Sequence, residues 1–141
     1  MTARSFIDTN ILVYTYDISD HEKHEKALKL IDRLVLLDTG MISTQVLSEF
    51  FTVITRKIAE PLSVEEAEAR VTNLCQIFPV MQVNEMIVLE AIRGVQKYNF
   101  SYWDALIWAT ARLNQAGVVF SEDFSHESYI EGVRFINPLT S

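Results

Sequence analysis

Phe6-Ile-Asp-Thr-Asn-Ile-Leu12 passes from a short apolar run through a polar corner and back into apolar residues. Ser5–Ile7 reads as a strand, and Asp8, Thr9 and Asn10 are good capping residues for a turn starting at Ile11. Asp8 therefore stands at the carboxyl end of a strand, on the way into a helix. Its simplest role is that of a cap. Its position is also where open α/β sheets bind ligands.

The pattern continues outward from this stretch. Met41–Ser43, Val80–Val83, Val118–Ser121 and Val133–Ile136 are further candidate strands, with helical patterns between them. Ser19-Asp20 caps a helix from about His21 to Leu37, which Gly40 ends. Ser63-Val-Glu-Glu66 is a capping box opening a helix to about Ile77. Asn84 caps a helix to about Tyr98, and Ser101-Tyr-Trp-Asp104 has the spacing of a second capping box, its helix ending at Gly117. Short strands alternating with helices predict a layered α/β fold with a mainly parallel sheet.

The 141 residues fit one domain, 1–141. The richest apolar run, Leu28 to Leu37, is interrupted by Lys29, Asp32 and Arg33, so no span long enough for a bilayer is expected. Arg4 is followed by only Phe6 and Ile7 before Asp8, which is too little for a signal core. A single cysteine, Cys75, excludes an internal disulfide and fits a reducing, cytoplasmic setting, with Cys75 as an apolar filler. The net charge of −7 and pI near 4.9 count against nucleic-acid binding by a broadly basic surface. Bound cations or a local basic patch can reverse the sign near a site.

Four acids occupy positions of interest. Asp8 and Asp123, in Val118-Val-Phe-Ser-Glu-Asp-Phe124, each follow a strand, and either can be explained as a cap or turn residue. Glu49 lies on the helix Thr44–Ile54, at the border of a face made by Val46, Leu47, Phe50, Val53 and Ile54. Asp104 opens a helix that is apolar almost all round, with Ile107 and Trp108 three and four positions on. A carboxylate held against such neighbours needs a partner or a metal, or the free N–H groups of its own helix start. Brought together, four carboxylates repel by about 4 kcal/mol per contacting pair at an effective dielectric near 20. Mg2+ or Mn2+, which prefer oxygen ligands, relieve that repulsion and activate water toward a phosphodiester.

At Phe-Ile-Asp8-Thr-Asn-Ile-Leu, Ile-Ser-Thr-Gln-Val-Leu-Ser-Glu49-Phe, Tyr-Trp-Asp104-Ala-Leu-Ile and Ser-Glu-Asp123-Phe, the sequence resembles the PIN-domain ribonucleases, most closely the VapC-type toxins of toxin–antitoxin pairs. Glu131-Gly-Val-Arg-Phe-Ile-Asn-Pro138 is also similar to those toxins. The resemblance implies a five-stranded, mainly parallel sheet with helices on both faces. It also implies a Mg2+- or Mn2+-dependent endoribonuclease, a homodimer and an antitoxin partner. By position, Asp8, Glu49, Asp104 and Asp123 match the family's catalytic, metal-binding acids. Ser121 matches a hydroxyl residue near the fourth, and Thr9 and Asn10 match polar positions near the first. Glu122 is a departure: two acids stand side by side, and adjacent residues on extended chain point apart, so one of them faces the metal, with Asp123 favoured.

Other residues have plainer readings. Arg56, Lys57, Arg93, Lys97 and Arg112 are candidate RNA contacts or solvated surface cations. Tyr98, Phe100, Tyr102 and Trp103 are candidate base-stacking aromatics or core and subunit contacts. His21 and His24 sit in a charged helix start, which disfavours zinc, and nothing places His126 at a site. A phosphotransferase using Asp8 as nucleophile is weak, since Asn10 stands where a second Asp is expected. The non-enzymatic alternative is an inactive PIN-like fold that binds RNA or protein.

Overall fold

Residues 3–140 are described by a computed structural model of the chain. Ser5, Phe6 and Ile7 are all buried, as are Gly40 to Ser43, so these strands have no solvated face and must lie between two layers. In chain order the elements are β1 (Ser5–Ile7), α1 (Thr9–Tyr14), α2 (His21–Leu37), β2 (Gly40–Ser43), α3 (Thr44–Arg56) and α4 (Val64–Ile77). There follow β3 (Val80–Met81), α5 (Glu85–Tyr98), α6 (Tyr102–Leu113), β4 (Val118–Phe120), β5 (Tyr129–Ile130) and β6 (Val133–Ile136).

The strand order is β3-β2-β1-β4-β6-β5, parallel throughout except for β5 against β6. From β1 the chain steps outward through β2 to β3, then returns past β1 to β4. Right-handed crossovers put the helices of these two journeys on opposite faces. Accordingly α1 packs on α2 and α3, α3 packs on α4, and α5 packs on α6. The sheet is mainly parallel with helices on both faces, but it has six strands where five were expected. The extra strand, β5, is a two-residue edge that folds back through Glu131 and Gly132, with φ of 48° and 89°. That two-residue loop, with positive φ at both positions, is the pattern of a tight hairpin turn ending in glycine.

Side-chain caps fix where the helices begin. Asp20, Ser43, Ser63, Asn84 and Ser101 each accept the N–H three residues on. Ser63 and Glu66 complete a reciprocal box. Ser101 makes only its own half, with no return bond from Asp104 to the Ser101 N–H. Helix ends differ from the sequence reading. Asp38, in the left-handed region at φ 55°, closes α2, and Asn114 follows Leu113 at the end of α6. Gly40 serves packing instead. A Cβ there would sit 2.7 Å from a Phe78 ring carbon, so its absence lets that ring lie on β2.

Trp108, fully buried on α6, is the largest such core side chain, and the rings of Tyr98 and Phe100 lie 5.8 and 5.7 Å from it. Truncating a residue of this kind to alanine costs about 3–5 kcal/mol. Cys75 is exposed on α4 and fills nothing. Among the described residues, no helix is long and apolar enough to cross a membrane.

Candidate active site

The strand order reverses between β1 and β4, and the crevice outside their carboxyl ends is the place such sheets offer to a ligand. The Asp8 N–H donates to the Phe120 carbonyl at 3.0 Å, which carries the pairing of β1 with β4 right up to this residue. Asp8 is only 4% exposed. One of its carboxylate oxygens accepts the Thr9 N–H at 2.7 Å, and the other accepts the Ser121 hydroxyl at 2.7 Å. The capping role and the site position thus coexist. Burial pushes its pKa from 3.8 to about 7; the Ser121 and Thr9 hydrogen bonds oppose the rise, while Asp123 and Glu49 add to it. Burial therefore keeps this carboxyl protonated well above the usual carboxylate range.

Glu49 reaches the crevice because α3 starts without a loop: Ser43 ends β2 and also caps α3. The Thr9 hydroxyl donates to Glu49 Oε1 at 2.9 Å. Asp104 comes from the opposite layer, in the first turn of α6. Burial raises its pKa, the Ser101 hydroxyl lowers it, and the neighbouring charge of Asp123 raises it further. Asp123, just past β4, accepts Asn10 Nδ2 at 3.0 Å, and its N–H donates to Ser121 Oγ at 3.0 Å. Asn10 also accepts the Glu122 N–H at 3.2 Å, so one amide clamps both residues of the loop.

The adjacent acids have different surroundings. Glu122 accepts the Tyr14 hydroxyl at 2.8 Å and the Lys23 ammonium at 2.8 Å. Among the described residues no cation pairs with Asp123, whose charge is felt by Asp8 and Asp104. Tyr14 and Lys23 escaped the sequence reading. Lys23 lies on the charged start of α2, and only the fold brings that turn against the loop after β4.

All four candidate acids line one cleft of about 320 Å3, together with Asn10, Tyr14, Lys57 and Trp103. Among the described residues, no group of three or more His, Cys, Asp or Glu side chains is close enough to hold a metal ion by itself. Thr9 holds Glu49 and Asn10 holds Asp123, while Asp8 sits in the floor. The acids share a space without closing it. An open set of oxygen donors suits Mg2+, which keeps several waters and takes one or two carboxylates plus substrate oxygens.

The other candidates divide clearly. Arg93, Lys97 and Arg112 are engaged with Glu90 and Glu131 at the amino-end edge of the sheet, away from the cleft. Lys57 lines the cleft, whereas Arg56 is exposed beside it in sequence and does not. Tyr98 and Phe100 are core partners of Trp108, and Trp103 is 62% exposed at the cleft. His24 Nδ1 is 2.7 Å from the Tyr14 carbonyl, His21 is exposed, and His126 accepts the Asn137 N–H, so none of them borders the cleft.

The sequence model of the PIN domain matches residues 5–129. The chain belongs to the PIN domain family. Its fold is also that of several solved PIN proteins. VapC20 of Mycobacterium tuberculosis, described as a toxin that cleaves the sarcin–ricin loop, is 22% identical, with a TM-score of 0.67 over 92% of this chain and 98% of that one. A toxin–antitoxin complex from Klebsiella pneumoniae gives 20% identity and 0.65 over 95% and 97%. DNA-bound VapBC from Salmonella typhimurium gives 17% and 0.68 over 95% and 97%. At these identities the likeness establishes the PIN fold. A search of curated protein sequences finds no match.

Proposed function

We propose that this PIN protein is a divalent-metal-dependent endoribonuclease, the toxin of a type II toxin–antitoxin pair, with Asp8, Glu49, Asp104 and Asp123 as its catalytic, metal-holding acids. The observation that carries the reading is the buried Asp8 carboxylate, which has acids from three other segments around its cleft, none of the four in a salt bridge among the described residues. Mg2+ or Mn2+ fits this oxygen-only, open donor set. When bound, such an ion acidifies water and offsets the charge that builds on the phosphate during in-line displacement.

The chain's own residues prepare for that event. Ser121 and the Thr9 N–H orient Asp8, the Thr9 hydroxyl steers Glu49, and Asn10 fixes Asp123. These groups hold the donor oxygens in place before substrate arrives, which is how positioning lowers a barrier. Lys57 on the cleft wall supplies positive charge for a neighbouring phosphate. Met86, Leu89 and Ile92, spaced three apart on α5 and 66, 65 and 42% exposed, support an apolar contact in a homodimer. An antitoxin partner and a cytoplasmic location belong to the same proposal.

The test is cleavage of an RNA mixture by purified protein with Mg2+, with Mn2+ and with EDTA, beside Asp8→Ala and Asp104→Asn. Metal-dependent cleavage by the parent and none by the variants is expected. Metal-independent RNA binding without cleavage by the parent would favour the inactive PIN-like binding fold. Parental activity in Asp104→Asn would sink the assignment of the site. Toxicity on expression that the same substitutions relieve is the expected mark of a toxin.

A further inference from the structure

An acidic nuclease has to hold a polyanion without a basic surface, and the cleft contains few cations. Lys23 is committed to Glu122, and Arg93, Lys97 and Arg112 are committed at the far edge of the sheet. Lys57 alone among the lysines and arginines lines the cleft among the described residues. Opposing so much carboxylate, one lysine gives little grip on a phosphate backbone, so substrate has to be held by other means.

Trp103 supplies them. It is a large aromatic side chain left 62% exposed, and it borders the cleft directly before Asp104 in sequence. It is also held in place. Ser101 caps the helix that starts beside it, Gln45 Nε2 donates to its carbonyl at 3.2 Å, and the Tyr102 ring meets it edge-on at 5.3 Å between centroids. Ile107, four residues after Trp103 and three after Asp104, is buried and lies on the cleft wall beside both. The Cα atoms of Trp103 and Asp104 are about 3.8 Å apart, as for any consecutive residues, and both residues line the same cleft.

Resting on the nuclease reading, we infer that Trp103 is a stacking platform for an unpaired nucleobase of the RNA strand, next to the phosphate held at the acids. Such a contact requires a base whose face is free, which a paired base does not offer to the indole. Stacking carries binding that the cleft cannot obtain from phosphate contacts.

Steady-state cleavage with Mg2+ tests this, using parent, Trp103→Leu and Trp103→Phe on one single-stranded oligonucleotide. Versions with one abasic site at each position near the cut and a fully paired version complete the set. Trp103→Leu is expected to raise KM by about 5- to 150-fold with kcat changed by less than about 3-fold, and Trp103→Phe to recover most of the loss. One abasic position should weaken the parent by a similar factor and leave Trp103→Leu unaffected, since a shared contact is lost only once. Equal KM values for parent and Trp103→Leu, penalties that add, or equal cleavage of paired RNA overturn the platform. So does a Trp103→Leu loss that tracks a change in oligomeric state, which would make the indole a subunit contact. A parent that cuts no RNA with either metal overturns the nuclease reading itself.

Discussion

The protein gathers carboxylates in two places and treats them in opposite ways. At the amino-end edge of the sheet, Arg93 binds Glu90 at 2.7 Å and Glu131 at 2.8 Å, Arg112 bridges the same two acids, and Lys97 stands 3.8 Å from Glu131. Hydrogen bonds from Arg93 and Tyr98 take the Glu131 carboxyl down to about 2, and Arg93 likewise lowers Glu90. At the carboxyl-end edge, Asp8 is pushed up to about 7 and Asp104 is raised, because burial outweighs the hydrogen bonds each carboxyl receives. Where acids serve structure, the chain brings its own cations. In the cleft, among the described residues, no salt bridge reaches Asp8, Glu49, Asp104 or Asp123.

The contrast can be broken at either pole, and the largest effect is expected in the cleft. Asp104→Asn should lower RNA cleavage on the order of 100- to 1000-fold, the range for losing one electrostatic group of a catalytic site, while circular dichroism and the unfolding midpoint stay near parental. Glu90→Ala, equally a lost carboxylate, should leave cleavage within about 2-fold, because that cluster only joins α5, α6 and the β5–β6 turn.

Stability should then respond to pH with opposite signs at the two poles. The folded chain keeps the Asp8 proton up to about pH 7, and the unfolded chain releases it near 3.8, so stability falls as pH rises through that window. Asp8→Asn in EDTA should therefore stabilise the protein at pH 8, with a ceiling on the order of 4 kcal/mol, and hardly at all at pH 4. Glu131 works the other way: its contribution, present above 4.5, fades as pH falls toward 2. Urea midpoints across pH in EDTA should peak near pH 4–5, and added Mg2+ should move the peak toward neutrality. A flat profile between pH 4 and 8 that Asp8→Asn does not alter would contradict the account of the cleft.

Smaller effects separate structure from site more finely. Glu90→Ala should lower stability by about 1–3 kcal/mol in urea denaturation, by removing charged hydrogen bonds to Arg93 and Arg112. Lys23→Met should cost less than about 1 kcal/mol, since the Lys23–Glu122 pair is partly solvated. A larger loss would give that pair a share in the core.

Much of this layout is written in local residue patterns. Asp8, Glu49, Asp104 and Asp123 can be picked out because each follows a strand or sits on a helix of strong apolar pattern, and N-caps such as Ser63 and Asn84 act over three residues. What is hidden depends on distance in sequence. Asp8 becomes a buried acid only when β4 pairs beside β1, and Glu122 is separated from Asp123 by Lys23, whose turn of helix lies far away in the chain. The cationic residues near Tyr98 resemble RNA contacts until the fold sets them against Glu90 and Glu131. Strand β5 is short enough to be lost among Ser, His and Glu residues, although Glu131-Gly132 between Tyr129-Ile130 and Val133-Arg134 is a readable hairpin signal. Gly40 shows the reverse error: a glycine after a helix invites a helix-stop reading when Phe78 is the reason for it.

The sheet closes at both margins on strands of two residues, β3 and β5. So short a margin exposes too few free N–H and C=O groups to template another strand, which guards the molecule against edge-to-edge association. It also narrows the ways in which another protein can take hold. Strand addition finds little here to extend, since each margin offers a docking chain few main-chain hydrogen bonds.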